Sequence, residues 1–78
     1  MALFKSTYNP PNIYRRIRNA TGLSQRAFAE ELGVMTTTIA LWELGCHKPA
    51  AATLKKLSHY LSAHPEIGIG TNELLENS

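Results

Sequence analysis

Four side chains that could bind a metal ion or act as nucleophiles lie in the second half of the sequence. Cys46 and its neighbour His47 precede His59 and His64, and Cys46, His59 and His64 form a Cys-x12-His-x4-His pattern. This spacing corresponds to half of a zinc finger, in which a second cysteine is also a ligand. The chain has one cysteine. We therefore predict no metal site and no bound cofactor.

The sequence offers little for catalysis. It contains no glycine-rich phosphate loop, no paired carboxylates and no nucleophile motif around Cys46. A chain of 78 residues is also too short to enclose a substrate easily. We therefore predict that the protein is not an enzyme and has no small-molecule substrate.

Length and composition predict one small globular domain. A hydrophobic fraction of 44% with 18% charged residues is typical of a folded chain. We expect a domain over 1–78 with its core at about 9–75, and flexible ends at 1–8 and 76–78. A single cysteine, no apolar signal segment and no run of about 18 apolar residues predict a cytoplasmic protein without a membrane partner.

Charge is distributed unevenly along the chain. The net charge is +2, but residues 1–29 carry five basic and no acidic side chains, whereas residues 30–47 carry three acidic and no basic ones. The basic side chains Arg15, Arg16 and Arg18 lie off the apolar stripe of the first predicted helix. They are therefore either solvated or in contact with an anion.

Apolar periodicity and capping residues predict five short helices, an all-α fold. Asn9 and Pro10 open the first, which Gly22 ends. Ser24 caps the second, which stops at Gly33. The third follows and ends at Gly45.

The two remaining helices have weaker boundaries. Pro49 starts the fourth, and the pair His64-Pro65 breaks it. Thr71 or Asn72 caps a last turn in which Leu74 and Leu75 return to the core. The predicted core positions of the whole chain are Ile17, Phe28, Leu32, Val34, Ile39, Trp42, Leu54, Leu57 and Leu61.

The third helix has an unusual outer face. Ile39 and Trp42, at i and i+3, are its inward anchors, so the opposite side is exposed. That side has few groups able to hydrogen-bond a polar partner, since its residues are Thr36, Thr37, Ala40, Leu41 and Leu44.

The run LSQRAFAEELGVMTTTIALWELGCHKP, with IRNATG before it and TLKKLSHYL after it, resembles the helix-turn-helix domain of Cro and phage repressors, the XRE family. The resemblance covers about residues 13–62 and places the helix-turn-helix at Ser24 to Leu44. It rests on an ordered combination: Leu-Ser-Gln at the second helix, Leu-Gly-Val at the turn, Trp-Glu in the third helix and Lys-Pro in the exit loop.

The resemblance implies a small transcriptional regulator of phage or mobile-element type that binds operator DNA and controls a genetic switch. It implies phosphate contacts at the start of the second helix and in the exit loop, here Ser24, Gln25 and Lys48, and Arg26 adds a cation. Base reading would fall to the outer face of the third helix, where Met35 stands in place of the usual capping serine and Thr36 or Thr37 takes over the cap.

The apolar outer face leaves a second function open. Thr37, Leu41 and Leu44 form a stripe that would suit a protein partner, and Glu30, Glu31 and Glu43 would rim it with negative charge. The alternative is an antirepressor that covers the recognition helix of a partner repressor and blocks its DNA binding. Homodimerisation, through this stripe or through the C-terminal region, is a third option.

Overall fold

Five α-helices follow one another along residues 11–77, the part of the chain that the computed structural model describes. They are α1 (Ile13–Thr21), α2 (Gln25–Leu32), α3 (Thr36–Leu44), α4 (Ala51–Ala63) and α5 (Thr71–Glu76), with a 3-10 turn at Pro65–Ile67 between the last two. No strand occurs within residues 11–77. The all-α prediction with five helices is confirmed.

One hydrophobic core joins all five helices. Its most completely buried large side chains are Ile17, Phe28, Ile39, Leu57 and Leu74, each at most 1% exposed. Of the predicted core positions, Leu32, Trp42 and Leu61 are also buried, whereas Val34 and Leu54 are only partly buried against the core. The buried residues at helical spacing on α1, α2, α3 and α4 therefore fix how these helices pack.

The start of α1 differs from the prediction. Asn9 and Pro10 lie outside the described residues, and the helix begins at Ile13 with Asn12 as its N-cap. The Asn12 side chain accepts a hydrogen bond from the backbone N–H of Arg15. The pair Pro10-Pro11 explains the later start, because a residue before proline is disfavoured in the α conformation.

The last two helices also start differently from the prediction. Pro49 is buried in the loop, and Ala50 in extended conformation is the N-cap of α4. Gly70 is the N-cap of α5, so neither Thr71 nor Asn72 caps it. Leu74 is fully buried, but Leu75 is 55% exposed, because consecutive residues point about 100° apart on a helix and cannot both face the core.

Helix α3 begins without a side-chain cap. Met35 occupies the N-cap position in extended conformation, and Thr36 and Thr37 are the first two helical residues. The prediction that one of these threonines takes over the cap is therefore wrong. The methionine thioether cannot replace a capping hydroxyl as an acceptor for the first amides. The glycine Gly45 ends α3 with φ +78°, a left-handed conformation that favours glycine.

Replacing Met35 by serine should therefore stabilise the protein. The side chain of Met35 is 70% exposed, so little buried area is lost, while a serine hydroxyl supplies the missing cap. We expect the free energy of unfolding to rise by about 1 kcal/mol, measured by urea denaturation. An unchanged or lower stability in Met35→Ser would show that the first turn of α3 is stabilised in another way.

Within residues 11–77, none of the helices has the length and apolar character needed to cross a lipid bilayer.

Candidate functional site

Helices α2 and α3 and the three residues between them form the centre of the candidate site. Ala29, which is 1% exposed, gives α3 a close approach to α2. Gly33 ends α2 at φ +69°, and the backbone N–H of Val34 donates to Ala29 O at 3.0 Å. Lys56 Nζ on α4 lies 3.5 Å from Leu32 O, so a cation sits at the negative end of α2.

The outer face of α3 is less uniform than the predicted stripe. Thr36, Thr37 and Leu44 are exposed, Leu44 at 70%, whereas Ala40 and Leu41 are half-buried. Leu41 lies in a groove of about 310 Å³ between α3, the α3–α4 loop and the start of α4, lined by Thr38, Leu41, Trp42, His47, Lys48, Pro49, Ala50 and Thr53. The structure therefore brings Leu41 close to Lys48.

The predicted phosphate-binding residues lie at the start of α2 and in the α3–α4 loop. Ser24 is exposed, and its Oγ accepts a bond from the N–H of Ala27 at 3.1 Å, which caps α2 as predicted. Arg26 is 82% exposed, and only a long 3.8 Å pair links it to Glu30. Lys48 is exposed on the loop.

Gln25 differs from these three residues because it is half-buried and already hydrogen-bonded. Its Nε2 donates to Glu43 Oε1 at 3.2 Å. The start of α2 therefore lies beside the end of α3.

Glu43 is the buried centre of an ionic cluster that joins α1, α2 and α3. Its side chain is 0% exposed. Arg18 donates through Nε to Oε2 and through Nη2 to Oε1 at 3.1 Å, and Arg15 Nε donates to Oε1 at 3.2 Å. The fourth member is Gln25. We call these four residues, Arg15, Arg18, Gln25 and Glu43, the Glu43 cluster.

The Glu43 cluster overturns the prediction that Glu43 belongs to an acidic rim. A carboxylate without partners would be too costly to bury, and two guanidinium groups make its burial possible. Of the two alternatives for the basic side chains of the first helix, solvation or contact with an anion, Arg15 and Arg18 show the second, and the anion belongs to their own chain. Because two positive charges meet one negative charge, the cluster has a surplus of one positive charge.

Hydrogen bonding decides the ionisation of the Glu43 cluster. Burial raises the pKa of Glu43, but the bonds from Arg18, Gln25 and Arg15 outweigh burial and hold the pKa below its ordinary value. The bond to Glu43 likewise raises the pKa of Arg18 above its ordinary value. Glu43 and Arg18 are therefore both ionised near neutral pH.

Asn12 reaches the same end of α3 from α1. Its Nδ2 donates to Trp42 O at 2.7 Å and to Glu43 O at 3.2 Å. The last carbonyls of a helix have no partner within the helix, so these bonds satisfy two of them. The end of α3 is therefore held by both a side-chain cluster and a backbone cap.

Glu31, one of the two acids of α2, lies away from the exposed face of α3. Glu31 lines a second groove, of about 290 Å³, at the ends of α1 and α4, which includes no α3 residue. Burial raises the pKa of Tyr60 in this groove, and the carboxylates of Glu31 and Glu66 raise it further. Neither α3 itself nor this second groove therefore contributes an acidic side chain to the exposed face of α3.

The residues considered for metal binding are dispersed. Cys46 is exposed on the α3–α4 loop, and His64 packs on Tyr60 with its Nδ1 3.0 Å from Glu66 Oε2. Among the described residues, no group of three histidine, cysteine, aspartate or glutamate side chains could hold a metal ion.

The sequence interpretation missed two residues of this site, Asn12 and the buried Glu43. A signal for Glu43 was available, since it is the one charged residue of α3 and Arg15 and Arg18 have no acid nearby in sequence. The pairing spans 25 and 28 residues, so no local pattern reveals it. For Asn12 the available signal was the pair Pro10-Pro11, which disfavours a helix that starts at Pro10.

Comparison with known proteins identifies a family whose model matches this sequence. Residues 15–67 match a protein-family model described as helix-turn-helix. The matched segment runs from Arg15 in α1 to the end of the 3-10 turn at Ile67. Neither the curated proteins nor the solved structures include a significant match.

Proposed function

Because the chain belongs to the helix-turn-helix family of the Cro and XRE type, whose members are DNA-binding transcription regulators, we propose that it binds operator DNA and controls a genetic switch. The observation that carries the proposal is the burial of Glu43. As the one charged side chain of α3, it is 0% exposed, so nothing on α3 repels phosphates. The surplus positive charge of the Glu43 cluster, with Arg15 47% exposed, attracts them.

In this proposal the DNA backbone is bound on both sides of α3. Ser24, Gln25 and Arg26 at the start of α2 contact one phosphate segment, and backbone N–H groups at this helix end contribute. Lys48 contacts another from the α3–α4 loop. These contacts set the register of α3 in the major groove and carry no sequence information themselves.

Base reading in this proposal is mainly apolar. The residues that face the groove are Thr36, Thr37, Ala40, Leu41 and Leu44, and none has the amide or guanidinium needed for a bidentate bond to a base. Threonine methyls and leucine side chains do match one base-edge group, the C5-methyl of thymine. The proposed operator is therefore one in which thymine methyl groups face α3.

Removing thymine methyl groups from the DNA tests this proposal without changing the protein. We expect a duplex enriched from a random pool to lose affinity when deoxyuridine replaces thymidine, because each lost methyl contact removes about 0.8 kcal/mol, or about fourfold in Kd. Fluorescence anisotropy at fixed salt measures the change.

Two controls accompany the uracil experiment. Deoxyuridine placed only outside the protected site should leave Kd unchanged. The Leu41→Ala variant should bind thymine and uracil duplexes more equally than the wild type does. Equal affinity of the wild type for both duplexes would reject methyl reading, and absence of any duplex binding would reject the function.

The antirepressor remains a second candidate because of one observation, the 70% exposure of both Met35 and Leu44. These side chains lie at opposite ends of α3, about 13 Å apart along its axis, with Leu41 half-buried between them. The exposed apolar surface is therefore divided, which favours DNA over a protein interface.

A gel shift on DNA flanking the gene of this protein, run with and without a candidate partner repressor, separates the two candidates. Retardation of DNA by this protein alone supports operator binding, and release of DNA from the repressor supports the antirepressor. In the second case Leu44→Asp should abolish the release while the helical circular dichroism is retained.

A further inference from the structure

We infer that Asn12 is a positioning residue that sets the orientation of α3, and this inference rests on the proposed DNA-binding function. Its amide bridges the start of α1 and the end of α3. The residues it joins are 30 and 31 positions apart in sequence. Its hydrogen bonds to α3 go to the backbone carbonyls of Trp42 and Glu43, neither of which belongs to the proposed base-reading face, so it acts through the backbone of α3.

The first step of the argument concerns the carbonyl groups at the end of α3. Leu41 O accepts bonds from the amides of Cys46 and His47, and Trp42 O accepts one from Gly45 at 3.0 Å. Among the described residues, Asn12 Nδ2 is the only donor to Glu43 O. Without Asn12, that carbonyl, beside a buried side chain, has no hydrogen-bond partner within residues 11–77.

The second step is the chemistry of the side chain. Oδ1 of Asn12 accepts from the N–H of Arg15 at 3.1 Å while Nδ2 donates to two carbonyls, so both ends of the amide are used and its orientation is fixed. Serine and aspartate cap helices as well as asparagine does, but they lack an amide donor. Capping of α1 alone therefore does not explain asparagine here.

The third step is the asymmetry of α3. Its N-terminal end has no side-chain cap, whereas its C-terminal end is tied to α1 by Asn12 and the Glu43 cluster. The bonds from Asn12 reach the backbone, so they fix the position and rotation of the helix end. A rotation of α3 about its axis would move Thr37 and Ala40 relative to the phosphate-binding residues on α2.

The substitution Asn12→Asp tests this inference, because aspartate keeps the acceptor for Arg15, replaces the donor to α3 by a carboxylate oxygen and adds one negative charge. Asn77→Asp is the matched control. The Nδ2 of Asn77 donates to Glu73 O at 2.8 Å, at the end of α5, so the control loses the same kind of bond and gains the same charge.

For DNA binding, the measured quantity is the ratio of Kd values for an unrelated and an enriched duplex. We expect it to fall about tenfold in Asn12→Asp and to stay unchanged in Asn77→Asp. The slope of log Kd against log salt should be the same in both variants, since the phosphate contacts are retained. An equal fall in both variants, or none in Asn12→Asp, would overturn the inference.

Hydrogen exchange supplies a readout that needs no DNA. In Asn12→Asp, the amides of Ile39 and Trp42 should exchange about tenfold faster, while those of Phe28 and Ala29 in α2 stay unchanged. If the wild type shows no preference among duplexes, the proposed function fails, and the hydrogen-exchange rates alone then test the positioning role of Asn12. Unchanged exchange in α3, or equal acceleration in α2, would then reject the positioning role.

Discussion

Replacing Glu43 by glutamine should lower the free energy of unfolding by about 3 kcal/mol, because removing one partner of a buried ion pair leaves the other without compensation. Arg18, with its side chain 16% exposed, would face an amide in place of a carboxylate. Urea denaturation followed by Trp42 fluorescence measures the loss. Arg18→Met should cost more than Arg15→Met, since Arg15 is 47% exposed and reaches water.

The exposed pair between Arg26 and Glu30 provides the matched control. Its side chains are 82% and 71% exposed, so Glu30→Gln should change stability by less than about 0.5 kcal/mol. Equal effects of Glu30→Gln and Glu43→Gln would contradict the structural role of the Glu43 cluster.

Acid should lower the free energy of unfolding, as the substitution Glu43→Gln does. The pKa of Glu43 is lower in the folded protein than in the unfolded chain, where it is about 4.3. Its contribution to stability is therefore fully present above that value and is lost as the pH falls through the lower, folded pKa. Stability in Glu43→Gln should fall less steeply with acid than in the wild type.

An acidic residue on the exposed face of α3 should abolish most DNA binding without harming the fold. Thr37 is exposed and is the second residue of α3, where a negative charge is favourable to the helix. In a complex a carboxylate at this position would enter the negatively charged major groove, and like charges brought together cost several kcal/mol. We expect Thr37→Glu to raise Kd for DNA about 100-fold at constant or higher melting temperature.

Asn72→Glu is the control for net charge, because Asn72 is exposed and is the second residue of α5. It should reduce DNA affinity only slightly. Thr37→Glu also separates the two candidate functions, since an antirepressor that contacts a basic surface would bind as well or better with an added acid. A Kd for DNA that changes equally in both variants would remove α3 from the interface.

Local sequence patterns predicted the helices and their buried faces. Ile39 and Trp42 are 0% and 2% exposed, as their spacing indicates, and the glycines Gly22, Gly33 and Gly45 end their helices as predicted. These features depend on neighbours within one helical turn.

Features that depend on tertiary contacts were not predictable in the same way. Glu43 was interpreted as a surface acid because charged residues are seldom buried, and its burial requires Arg15 and Arg18 from another helix. The N-cap of α1 was assigned to Asn9, since capping preference cannot distinguish it from Asn12. Leu41 was expected on an open stripe, but the α3–α4 loop covers part of it.

The side-chain contacts that hold α3 in place are at its C-terminal end, whereas exposed residues that could contact a ligand are at its N-terminal end. Thr36 and Thr37 are exposed, and no side-chain hydrogen bond caps that end of the helix. Randomised libraries at these two positions should therefore yield mostly folded proteins. The domain is accordingly suited to acquiring new ligands by surface exchange, in evolution or in the laboratory, while the rest of the sequence is kept.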